Sequence, residues 1–150
     1  MMLSPHFSLA ELTRTRQPFP NVPGVAETNR LRLLCINILE PVRAHFGRPV
    51  IVNSGFRAKR VNDAVGSSDK SQHRLGEAAD IEIAGVENIA LAHWIADNLP
   101  YDQLILEAYR PGAPGSGWVH VSYRPGRSHR SILTMTMGTH GPVYSKGLNA

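Results

Sequence analysis

One cysteine, Cys35, stands in 150 residues, so no internal disulfide forms and sites built on several thiolates are excluded. Its neighbours Leu34, Ile36 and Leu39 mark it as a small buried hydrophobe rather than a reactive thiol. No run of about 18 apolar residues occurs, which excludes a spanning helix. The opening run, MMLSPHFSLAELTRTR, lacks the basic-then-apolar order of a secretory leader, so no cleaved signal is expected. Aromatic residues make up only 7%. Neither basic group, Arg57 with Lys59 and Arg60 or Arg124 with Arg127 and Arg130, has the interleaved rings on which bases stack. A nucleic-acid partner is therefore not expected, although a net charge of +4 and a pI near 9.6 favour polyanionic surroundings such as anionic cell-wall polymers. No internal repeat or domain linker is visible, and nothing in the sequence fixes an oligomeric state.

What is present reads as one globular domain over 1–150. Residues 1–25 supply a short helix and a proline-rich loop, 26–137 a core, and 138–150 a tail with little pattern. Ser8 before LAELTRT, with Glu11 three residues on, is a capping box. QPFPNVPGV must be loop. From Ala26 to Phe46, Leu31, Leu34, Cys35, Ile38, Leu39, Val42 and Phe46 recur at helical steps up to Gly47, and Pro41 predicts a break near Leu39. PVIVNSG is a short strand and RAKRVNDAVG a short helix. AADIEIA alternates as a strand, Val86 to Leu99 is a second amphipathic helix, and DQLILEAY and WVHVSY form a hairpin across a Gly/Pro loop. SILTMTM is the final strand expected. Helices first, then strands broken by one helix, imply an α+β fold: an antiparallel sheet with helices packed on one side.

The chemistry concentrates in SQHRLGEAAD, Ser71 to Asp80. His73 precedes Asp80 by seven positions, and His120 lies in the strand WVHVSY. Two imidazoles and a carboxylate suit a catalytic Zn²⁺, whose fourth position stays open for water. Period-two alternation tests the grouping. If Leu104 and Leu106 face the core with Val119 and Val121, then Glu107 and His120 emerge together on the other face. Asp80 does likewise opposite Ile81, and the preceding loop delivers His73. Zn²⁺ lowers the pKa of water it holds from 15.7 to about 7. A carboxylate must then pass the proton to a leaving amine, and Glu107 is the candidate. Arg57, after the strand-ending SGF, is the candidate cation for a developing oxyanion. Trp118 reads as packing first and substrate contact second. His6, His45, His93, His129 and His140 read as surface or helix-face histidines, and Glu77 as a solvated charge.

SGFRAKRVN, SQHRLGEAAD and GWVHVSY together resemble the motif blocks of the zinc D-Ala-D-Ala carboxypeptidase and L-alanyl-D-glutamate endopeptidase family. Several phage endolysins belong to that family, and the hedgehog signalling domain shares its fold. The resemblance runs from HFSLAELTRT to Tyr123. It implies Zn²⁺ held by His73, Asp80 and His120, a substrate-positioning Arg57, and a substrate-contacting Ser71. Many members carry the catalytic acid/base three residues before the last histidine, where this chain has Gly117. Glu107 then resembles the IxE arrangement of the phage-type branch. The implied partner is a peptidoglycan stem peptide, cut at L-Ala-D-Glu or D-Ala-D-Ala. The implied setting is phage lysis or a virion-associated role: synthesis in the host cytoplasm, then action in the periplasm or wall after release, or in the virion. A non-catalytic, zinc-stabilised wall-binding or virion structural module is the alternative.

Overall fold

The computed structural model describes residues 1–149. The chain opens with two short antiparallel strands, β1 (Met2–Ser4) and β2 (Phe7–Ser8), leading into helix α1 (Leu9–Leu12). The capping box is present: Glu11 N–H donates to Ser8 Oγ at 3.1 Å and Ser8 N–H to the Glu11 carboxylate at 3.0 Å. The long amphipathic segment is helical throughout, as α2 (Val25–Leu34), a π-helical stretch (Cys35–Leu39) and α3 (Glu40–Phe46), so in place of the expected break the turns widen. Pro41 explains the widening. It has no N–H for the Asn37 carbonyl, and its ring would crowd that carbonyl in a regular helix, so the wider turns fall just before it. Gly47, left-handed at φ 64°, ends α3.

The strands that follow are β3 (Ile51–Ser54), β4 (Ala78–Glu82), β5 (Gln103–Glu107), β6 (Trp118–Ser122), β7 (Ser131–Gly138) and β8 (Gly141–Lys146). Short helices α4 (Lys59–Ala64) and α5 (Gln72–Leu75) lie between β3 and β4, and α6 (Asn88–Asn98) joins β4 to β5. The six strands make one sheet in the order β3-β4-β6-β5-β7-β8. Leu31, Leu34, Ile38, Leu39 and Val42 from the long helical segment, and Leu91, Ala92 and Ile95 from α6, bury completely against Ala79, Ile81, Leu104, Leu106, Val119 and Val121. Alternate strand residues therefore point away from the helices, and the site is built on that opposite face.

The α+β architecture matches the sequence pattern, with two departures. The sheet is not wholly antiparallel, because β5 and β7 pair in parallel. After β6 returns along β5, residues 123–130 carry the chain across to the far side of β5, and β7 sets out in β5's direction. Residues 141–146, which show little pattern, form edge strand β8 against β7. Its residues are almost all exposed, so no buried face imposes an apolar alternation that could be read from sequence.

Candidate metal centre

Strand register decides which side chains meet. Asp80 on β4 pairs directly with His120 on β6, and His120 with Ile105 on β5. Two residues along, Glu107 stands opposite Trp118. His73 comes from a short helix rather than a loop: it is the second residue of α5, whose N-cap, Ser71, accepts from the His73 N–H at 3.2 Å. SGFR supports the same residue from below, since His73 Nδ1 lies 2.7 Å from the Gly55 carbonyl and Arg57 N–H donates to the His73 carbonyl. Gly55 has to be glycine: a Cβ there would lie 2.3 Å from the Leu12 carbonyl oxygen. Asn21, from the proline-rich loop, fixes the backbone around Arg57, donating to the Phe56 carbonyl and accepting from the Ala58 N–H.

The three candidate ligands form a donor set that fits a metal ion. His73 Nε2 is 3.3 Å and His120 Nδ1 3.1 Å from the same Asp80 oxygen, and the three groups offer ligand atoms within 4.8 Å of one another. The Gly55 carbonyl can only accept, so His73 carries its proton on Nδ1 and turns a bare Nε2 lone pair toward a carboxylate oxygen. Burial depresses the His73 pKa against the upward pull of the neighbouring Asp80 carboxylate. Two acceptors turned on one another in this way offer a place for a cation. His120 Nε2 is buried without a partner, which leaves Nδ1 as the nitrogen facing the shared position. Burial alone would push the Asp80 carboxyl up. The two imidazoles that converge on it reverse that and hold it well below the usual carboxylate range. Two imidazoles and one carboxylate match the preference of Zn²⁺ for three protein ligands with an open fourth position.

A cleft of about 330 Å³ opens over this centre, lined by Arg57, Ser71, the three ligands and Glu107, among others. Glu107 sits on the side of the ligands away from Arg57, because β5 lies beyond β6 and Arg57 follows β3. Burial, with the Asp80 charge adding to it, raises the Glu107 pKa toward the range in which a carboxyl both accepts and returns a proton. Position 117 cannot carry the acid in this chain. Gly117 is left-handed at φ 69°, and a Cβ there would lie 2.1 Å from the Glu107 carbonyl oxygen. Arg57 donates from Nε to Ser54 Oγ at 3.1 Å, and its other end is 3.8 Å from Asp80. Trp118 is outside the cleft lining.

Several residues enter the site or its support without having been singled out by sequence. Lys70, Gln103 and Tyr144 line the cleft, Tyr144 from the weakly patterned tail. Asp102 is buried, accepting from the His129 N–H, His129 Nδ1 at 2.6 Å and Gln72 Nε2 at 3.0 Å, which ties the start of α5 to the end of the sheet. Its Asp-Gln-Leu context carries only the start of a strand. Glu77, expected to be solvated, is 2% exposed and paired with Arg124 at 3.1 Å. It precedes β4, so strand alternation said nothing about its direction. Cys35 is buried, and burial pushes its thiol up to about 12.

The model of the Peptidase M15 family matches residues 5–122, a span that contains all three candidate ligands, Arg57 and Glu107. This chain belongs to that family. It is also similar to the zinc D-Ala-D-Ala carboxypeptidase of Streptomyces albus G, 31% identical over 125 residues, 81% of this chain and 47% of the relative. The chain thus spans about half the length of the curated relative it matches.

Proposed function

We propose that the chain is a zinc peptidase that hydrolyses peptidoglycan stem peptides, in phage lysis or as a virion-associated wall-degrading enzyme. The observation that carries this reading is one cleft holding the His73–Asp80–His120 set with a half-buried Glu107 carboxyl of raised pKa to one side and Arg57 to the other. Bound by the three ligands, Zn²⁺ supplies Lewis-acid polarisation of a carbonyl and makes water acidic enough to ionise near neutral pH. The chain's own residues do the rest. Glu107 takes up the proton released by the attacking water and delivers it to the leaving amine. Arg57, held by Ser54, presents fixed positive charge where the carbonyl oxygen becomes negative. Ser71, Gln103 and Tyr144 offer hydrogen-bonding groups along the cleft to the peptide backbone. The positive charge suits a wall covered in anionic polymer.

The test is the turbidity of outer-membrane-stripped Gram-negative cells treated with purified protein, with and without chelator. Clearing that chelator abolishes and zinc restores is expected; equal clearing in both conditions defeats the proposal. Mass spectrometry of the released muropeptides then identifies the bond, L-Ala-D-Glu or D-Ala-D-Ala.

A further inference from the structure

A larger concavity, about 540 Å³, adjoins the metal cleft, and Arg57 lines both. Its walls are the loop carrying Arg14 and Arg16, strand β3 and the aliphatic side of α4. No acidic side chain lines it. Among the described residues, none of the ion pairs uses Arg14 or Arg16, and both are exposed. Ile51 and Val65, also in the lining, are 40% and 47% exposed. Strand β3 is the end strand of the sheet and pairs only with β4. The pocket therefore runs beside a strand edge whose outward N–H and C=O groups are open to another extended chain.

These features specify one kind of occupant. An open strand edge takes an extended peptide, exposed aliphatic side chains take its hydrocarbon, and unpartnered guanidinium groups take carboxylates as forked pairs. The shared Arg57 makes the path continuous with the cleft. Resting on the peptidase reading, we infer that this pocket is a substrate subsite for the carboxylate-bearing part of the stem peptide beyond the bond that is cut, with Arg14 and Arg16 as its selectivity residues. The enzyme then prefers stem peptides whose side carboxylates are free over those in which they are amidated.

The experiment compares one synthetic stem pentapeptide in two forms, with its D-Glu and diamino-acid carboxylates free or both amidated. Binding is measured by calorimetry to zinc-loaded Glu107→Gln protein, so that it does not depend on turnover, and KM is measured separately on the protein with Glu107 intact. The free-acid form should bind more tightly. Arg14→Ala/Arg16→Ala should weaken that form about tenfold, the scale of one to two charge-assisted contacts, while leaving the amidated form within twofold. The pair is exposed and unpartnered, so an unchanged melting temperature confirms a folded variant. Equal affinity for the two forms, equal weakening of both, or no binding of either overturns the subsite. Cleavage without that discrimination sinks the subsite and leaves the peptidase reading standing. Discrimination in binding with no cleavage by the Glu107 protein does the reverse.

Discussion

Gly117→Ala is the most demanding test of where the catalytic acid lies, because its consequence follows from backbone geometry alone. The residue is left-handed at φ 69°, which costs an L-residue about 1–2 kcal/mol. The added methyl would sit 2.1 Å from the Glu107 carbonyl oxygen and 2.7 Å from the Ala108 carbon and Tyr109 nitrogen, where Cβ contacts under 3.0 Å essentially never occur. Those neighbours are backbone and cannot swing away, so β5 and β6 must part at the Glu107–Trp118 pair. Overpacking of this kind adds about 1–3 kcal/mol. The total, about 2–5 kcal/mol, lowers the melting temperature by roughly 10 °C for a domain this size. Glu107 is displaced relative to Asp80 and His120 at the same time, and a shift of about 1 Å costs on the order of 100-fold in rate. Thermal melting and muropeptide hydrolysis measured on one preparation read both effects. Moving the acid with Gly117→Glu in a Glu107→Gln background should rescue nothing. A Gly117→Ala protein that melts and turns over like its parent refutes the reasoning, and with it the steric argument for Glu107.

Glu107→Gln should cut kcat about 100- to 10,000-fold, the usual contribution of a general acid/base, while bound zinc measured by atomic absorption stays unchanged; loss of zinc would recast Glu107 as a ligand. The raised pKa of Glu107 means that the folded state binds its proton more tightly than the unfolded state, so stability falls as pH rises from the unfolded toward the folded value. Above that range the amide should therefore leave the zinc-free protein melting no lower than its parent. Asp80→Asn removes the negative charge of the carboxylate on which both imidazoles converge, and the dialysed variant should hold little zinc; stoichiometric retention would contradict the ligand assignment. Glu40 accepts from Ser4 Oγ, His6 N–H and His6 Nδ1 at 2.6–2.8 Å. Against the upward push of burial, these bonds hold its pKa down, so its stabilisation is present above the unfolded carboxyl value and is lost as pH falls through the folded one. Glu40→Gln should cost about 1–3 kcal/mol near neutral pH and progressively less below pH about 4, read from urea unfolding at several pH values; a cost independent of pH would exclude the ionised contact.

The parts of the site that sequence reveals are those governed by strand period. Leu104, Leu106, Val119 and Val121 must share the buried face, so His120 and Glu107 must share the other, and pairing β4 with β6 brings in Asp80 without further information. The proline at 41 likewise announces a disturbance in the first long helix, which the structure shows as a π-helical stretch and not a break. The parts it hides depend on what lies across space. Glu77 precedes its strand, and only the approach of Arg124 from the far end of β6 turns an apparent surface charge into a buried pair. Tyr144 belongs to a strand with no buried face, so no alternation marks it, yet two successive edge pairings carry it over the cleft. The position of the acid combines both kinds of information. A glycine three residues before the last histidine says where the carboxylate is missing. Only the 2.1 Å separation between a hypothetical Cβ at 117 and the Glu107 carbonyl says why: the backbone that presents Glu107 to the cleft occupies the space a side chain at 117 would need. In this hairpin the backbone leaves no room for a side chain at 117, so the proposed proton transfer falls to the carboxylate that the cleft does hold, Glu107.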